Sequence, residues 1–135
     1  MKKTLVCLTF GGLLGYFSAM AVLDGCKKEE IILEVNDKNF RREVLDKRLV
    51  FVDFYTDWCG ICTQARPSIE ELAKEYSNRL EFVSYNCEYG NRDERLRLDG
   101  YPTFIIFNEG REIGRHSGFS NKERIEDFIQ ETLGE

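Results

Sequence analysis

The stretch at residues 50–62, Val-Phe-Val-Asp-Phe-Tyr-Thr-Asp-Trp-Cys-Gly-Ile-Cys, constrains the fold more than any other part of the chain. It opens as a run of β-branched and aromatic residues, the composition of a buried strand. It closes in Cys59-Gly60-Ile61-Cys62, after which apolar residues recur at Ala65, Ile69, Leu72, Ala73 and Tyr76, which is helical spacing. The two cysteines therefore stand where a strand hands over to a helix, and the carboxyl end of a strand is where open α/β sheets place their active sites. A helix start carries unsatisfied N–H groups and partial positive charge. A thiol held there ionises more readily, and the thiolate is the nucleophile. Cys59 takes that first-turn position. Cys62, one turn along the same face, is close enough to close a disulfide with it. One cysteine of such a pair attacks a partner's sulfur, and the other resolves the mixed disulfide.

A length of 135 residues allows one domain of ordinary size. The net charge is −5 with no basic cluster, which argues against nucleic acid as a partner. Five cysteines need placing: Cys7, Cys26, Cys59, Cys62 and Cys87. Their spacing makes no stapled framework. A structural zinc site built on Cys59 and Cys62 would need two more ligands, yet there is no second Cys-x-x-Cys and His116 is the only histidine. No metal is predicted.

Residues 1–26 read as a segment outside the fold. Lys2 and Lys3 make a short basic start, and residues 4–23 carry no charge, the pattern of an export signal or a membrane anchor. Three fates fit it. Ala19-Met20-Ala21 has the small-x-small form of a signal-peptidase site. Leu23-Asp24-Gly25-Cys26 resembles the lipobox of bacterial lipoproteins, with Asp24 departing from the usual small residue, and would lipidate Cys26. An uncleaved segment would remain as an anchor. Each fate puts the domain on the far side of a membrane. Residues 27–30 are a charged linker, and residues 31–135 form the domain.

Within it the spacing predicts strands over 31–35, 49–55, 80–87, 103–107 and 111–117. Helices are predicted after Asn36 and Asp37, burying Phe40, Val44 and Leu45; from Cys59 to about Tyr76, kinked at Pro67; and over 91–98, where Asn91 and Glu94 have capping-box spacing. A last helix opens at a capping box, Ser120-x-x-Glu123, and buries Ile125, Phe128, Ile129 and Leu133. The order β-α-β-α-β-α-β-β-α predicts an α/β sheet covered on both faces.

Taken together, these features resemble the thioredoxin family, across the whole of residues 31–134. The likeness rests on Val-Asp-Phe-Tyr-Thr-Asp-Trp-Cys-Gly-Ile-Cys at 52–62, on Pro67 inside the helix, on Gly100-Tyr101-Pro102-Thr103, and on the spacing of Gly110 and Gly118. It implies a thioredoxin fold, a central mixed β-sheet flanked by helices. It also implies roles. Cys59 is the exposed attacking thiol and Cys62 the buried resolving thiol. Asp53 lies beneath Cys62 as its proton acceptor, its pKa raised by an apolar surround. Pro102 is cis and faces the disulfide, where the missing N–H lets a substrate strand approach. Trp58, Gly60, Ile61, Tyr101 and Gly118 line a shallow substrate groove.

The departures from the family pattern carry their own expectations. Ile61 replaces the usual proline between the cysteines, and it lacks the charge or hydrogen bond of the histidine often found there in strong oxidants, so the pair should be reducing. Ser84 stands where many thioredoxins have a lysine near the buried aspartate, and losing that charge should raise the Asp53 pKa further. Tyr101 narrows the substrate range. Cys87 reads as a small buried hydrophobe, His116 as solvent-facing, and residues 92–95 as a solvated helix face. The sequence thus reads as a thiol–disulfide oxidoreductase outside the cytoplasm, on the periplasmic side of a bacterial cytoplasmic membrane and held there by its N-terminal segment or a lipid. It acts on protein disulfides or thiols, draws on a membrane or periplasmic electron donor, and needs no cofactor beyond its cysteines. The competing readings are a disulfide-forming oxidant and a binding or assembly module of the same fold.

Overall fold

The hydrophobic runs become strands. A computed structural model describes residues 30–118 and 121–135. In it β1 (Leu33–Val35), β2 (Leu49–Tyr55), β3 (Glu81–Asn86), β4 (Thr103–Asn108) and β5 (Arg111–Ser117) form one sheet in the order β1-β3-β2-β4-β5. The first three strands run parallel, and β4 and β5 are antiparallel to their neighbours. The N-terminal segment with its three fates, including Cys7 and Cys26, lies outside the described residues. Among the described residues no helix is long and apolar enough to cross a membrane.

Strand alternation sorts the side chains onto two faces. Phe51 of β2, Phe82 of β3, and Phe104 and Ile106 of β4 pack under helices α1 (Gly60–Glu75) and α3 (Lys122–Leu133), which add Ala65, Ile69, Leu72, Ile125, Phe128 and Ile129. Val50, Val52 and Phe54 point the other way, onto Phe40, Val44, Tyr85 and Phe107. Because β2 is central, both of its faces are covered, which is why its sequence shows little polar alternation. Asp53 shares the parity of Phe51, so the one charged residue inside this strand is turned toward α1.

Several local expectations change. The helix after Asn36 is a π-helical turn, Arg41–Leu45, closed by a bond from the Asp46 N–H to the Arg41 carbonyl at 2.8 Å. Phe40 and Val44 are still buried, but Asp37 does not cap the turn. Its carboxylate instead accepts from the Tyr85 hydroxyl at 2.9 Å and from Arg92 Nε at 3.0 Å. Tertiary partners outcompete the local cap. The short helix α2 (Arg92–Leu96) starts at Asn91 with no side-chain cap, so the predicted capping box does not form. It stops at Arg97, which takes a left-handed φ of 53°. Helix α3 is capped by Asn121, whose side chain accepts from the Arg124 N–H at 3.1 Å, one position later than the predicted box; Ser120 lies outside the described residues. His116 is half-buried rather than solvent-facing, its ring parallel to Phe104 at 6.3 Å.

Candidate active site

Cys59 is the N-cap of α1, one residue before the predicted first turn. Its extended backbone turns its sulfur back over the helix end, where it accepts the N–H of Cys62 at 3.2 Å. That N–H is one of the donors a helix start leaves without an intrahelical partner, so the dipole and a direct donor both act on the same sulfur. Cys59 and Cys62 are joined in a disulfide, with their Cα atoms 5.3 Å apart. In this bonded form Cys59 is 6% exposed and Cys62 4%. Cys59 is thus nearly as covered as its partner, because the bond and the N–H contact fold its sulfur against the helix.

Behind the pair, Asp53 is buried at 3% exposure. Its Oδ1 has no hydrogen-bond partner among the described residues, and neither does the Thr56 hydroxyl. Both line a cavity of about 120 Å³ shared with Cys62, Thr63 and Arg66. Burial pushes the Asp53 carboxyl from its ordinary 3.8 up to about 7, and the positive charge of Arg66 opposes that rise. Ser84 faces Asp53 across the β2–β3 ladder, as the resemblance implies. Arg66, on α1, is the positive charge that lines this cavity. Arg66 is the residue that sequence reasoning overlooked, although its place four residues after Cys62, on the same helix face, was a signal for it.

The Tyr101–Pro102 peptide bond is cis. The Pro102 carbonyl accepts the N–H of Gly118 at 2.9 Å, which ties the loop to the end of β5. Gly118 takes a φ of +96°, so a side chain there would be strained. Trp58 is 70% exposed and meets Tyr101 edge to face, with ring centroids 5.9 Å apart. Ile61 is exposed beside the cysteines, and Gly60 has open space where a Cβ would point. The Tyr101 hydroxyl is held by Asp93 at 2.7 Å. Asp57, absent from the predicted groove, accepts from Asn86 at 2.8 Å and from the exposed Tyr89 hydroxyl at 3.1 Å, and so brings a further aromatic ring close to the site. Cys87 begins a 3₁₀ turn on the opposite face of the sheet, and burial pushes its thiol up to about 12, the state of an inert packing cysteine.

A disulfide at a helix N-terminus, on a mixed α/β sheet and backed by a buried carboxyl, defines a thiol–disulfide oxidoreductase. The thioredoxin family model matches residues 31–131. The thioredoxin of Buchnera aphidicola from Schizaphis graminum is 33% identical over 104 residues, covering 76% of this chain and 96% of that one. The thioredoxin of Acidithiobacillus ferridurans is 33% identical over 106 residues, covering 77% and 98%. That of Chlorobaculum thiosulfatiphilum is 34% identical over 103 residues, covering 75% and 95%. The chain belongs to the thioredoxin family, which implies protein substrates carrying disulfides.

Proposed function

We propose that the chain is a protein-disulfide reductase acting outside the cytoplasm through the Cys59-Gly60-Ile61-Cys62 dithiol. The observation that carries the reading is the Cys59 sulfur at the N-cap of α1, receiving the Cys62 N–H at 3.2 Å. In the reduced protein the same contact favours the Cys59 thiolate. That thiolate attacks one sulfur of a substrate disulfide, and the other substrate sulfur leaves as a thiolate and takes a proton from solvent. Asp53 accepts the proton of the Cys62 thiol, and the Cys62 thiolate attacks the Cys59 sulfur. The second substrate sulfur leaves, the Cys59–Cys62 disulfide closes, and two electrons have passed to the substrate. The cis Tyr101–Pro102 loop, with Trp58, Ile61 and Gly118, offers the surface against which an extended substrate segment lies.

The exposed Ile61 supports the reducing direction, since it brings neither charge nor hydrogen bond to the thiolate. Equilibration with glutathione tests it. A potential near about −270 mV supports a reductase, and one near about −120 mV assigns an oxidant instead. A membrane-side donor dithiol would return the two electrons. The uncharged stretch at residues 4–23 supports export and tethering. Fractionation and protease accessibility of the full chain in a bacterial cell test that placement, and radiolabelled palmitate tests lipidation at Cys26. A protein found wholly in the cytosol would overturn the placement and leave the chemistry standing.

A further inference from the structure

We propose that Arg66, reaching inward from α1, is the positioning residue that balances the charge of the buried Asp53 carboxylate, the task left open on β3 where Ser84 faces Asp53. The inference rests on the reading of Asp53 as the proton acceptor for Cys62. Arg66 and Asp53 line the same cavity of about 120 Å³ beside Cys62. Arg66 also lines the neighbouring cavity of about 260 Å³, together with Ser84, Glu30, Glu34 and Glu70. It is thus the wall between an outer acidic pocket and the inner carboxyl. Its guanidinium carbon lies 5.0 Å from the centre of the Tyr55 ring, within the range of a cation–π contact. That contact holds a long side chain half-buried instead of letting it extend into water.

The groups around both partners are few. Asp53 is faced by Arg66 and Cys62 from α1, by Ser84 from β3 and by Phe104 from β4; Tyr55 and Asp57 line the same cavity, and Cys87 lies across the sheet as a neutral thiol. Arg66 shares its two cavities with Glu30, which precedes β1, with Glu34 from β1, with Tyr55 and Asp53 from β2, with Asp57 just after β2, and with Glu70 one turn along its own helix. Glu34 and Glu70 line the outer cavity with Arg66, so carboxylates flank its guanidinium on the solvent side as Asp53 does on the inner side. A fixed, permanently ionised cation beside Asp53 favours the carboxylate form. It therefore keeps part of the Asp53 population ionised, and able to take the Cys62 proton, near neutral pH.

Carbon-13 carboxyl NMR of Asp53 in the full, oxidised chain reads the effect directly. Arg66→Gln and Arg66→Met should each raise the Asp53 titration midpoint by about one unit, a tenfold gain in proton affinity. Arg66→Met keeps the packing of the stem on Tyr55, so the test stands if the glutamine variant folds poorly. Arg66→Lys should leave the midpoint within about 0.3 unit, and adding Ser84→Lys to Arg66→Gln should bring it back down. A midpoint that stays put in both neutral variants, or that moves as far with lysine as with glutamine, overturns the inference. The pH profile of insulin reduction separates the two readings. If the titration moves and the rise of turnover with pH moves with it, both stand. If the titration moves and the turnover profile does not, Arg66 still governs Asp53, and Asp53 is not the proton acceptor.

Discussion

Replacing Asp53 by asparagine should make the oxidised protein more stable at neutral pH and no more stable in acid. Burial moves the carboxyl from 3.8 in the unfolded chain to about 7 in the fold. The folded protein therefore keeps a proton that the unfolded chain releases between those two values, and stability falls as pH rises through that window. The shift spans about three units, and at about 1.36 kcal/mol per unit the fold loses about 4 kcal/mol by the time the pH passes 7. Below the unfolded value both states are protonated, and the loss vanishes. An asparagine of nearly the same shape removes the titration. Its amide adds donors to a cavity also lined by the Thr56 hydroxyl, which has no partner among the described residues. Urea unfolding of both oxidised proteins at pH 3.5, 5, 6 and 8 measures the difference. The curves should nearly coincide at pH 3.5 and separate to about 3–4 kcal/mol at pH 8 in favour of Asp53→Asn. The same variant should reduce insulin more slowly, since it has no carboxylate to accept the Cys62 proton. A stability difference that stays constant from pH 3.5 to pH 8 would refute the claim that burial holds this carboxyl protonated.

Three other perturbations probe the site and its frame. Cys62→Ser should stall the reaction at a mixed disulfide between Cys59 and substrate, seen as a thiol-sensitive adduct by mass spectrometry, whereas Cys59→Ser should form none. Ile61→His should make the couple more oxidising by about 30 mV or more, the equivalent of one tenfold change in equilibrium constant, because a cation beside the Cys59 thiolate stabilises the reduced form; an unchanged glutathione equilibrium would count against local control of the potential. Gly110→Ala should destabilise the fold by about 2 kcal/mol and lower Tm by about 10 °C, because Gly110 has a φ of +79° and an added Cβ would lie 2.8 Å from the Leu45 carbonyl oxygen. Thermal melts followed by circular dichroism check it, and a loss under about 0.5 kcal/mol would mean the turn relaxes freely.

What could be read from the chain follows from how each feature is encoded. The sheet and its two covered faces were legible because strand and helix periods are contiguous: residues 49–55 are apolar almost throughout, and Ala65, Ile69 and Leu72 keep a single face through α1. The cysteine pair, Asp53 and Pro102 were legible because each stands in a short motif whose geometry comes with it. The caps were misread for different reasons: Asp37 is taken by Tyr85 and Arg92, 48 and 55 residues away, whereas α3 takes its cap from Asn121, one position after the predicted one. His116 was misread in the same way as Asp37, since its strand looks polar while its ring stacks on Phe104 from the neighbouring strand.

Arg66 shows where such reading stops. In the sequence it is one of the chain's many arginines, set in a mixed helix, and Ser84 signals only that a charge is missing. That the two facts are one fact depends on the register that sets Ser84 opposite Asp53 and on the helix phase that turns residue 66 inward beside residue 62. A buried carboxyl raised to about 7 is poised for proton exchange only if something keeps burial from raising it further. The requirement is for a fixed positive charge at that depth, and the fold can meet it from either wall of the cavity. Here the wall that carries the resolving cysteine also carries the cation. Nucleophile, resolving thiol and charge balance therefore depend on a single helix, and a shift of α1 against the sheet would move all three together relative to Asp53 on β2.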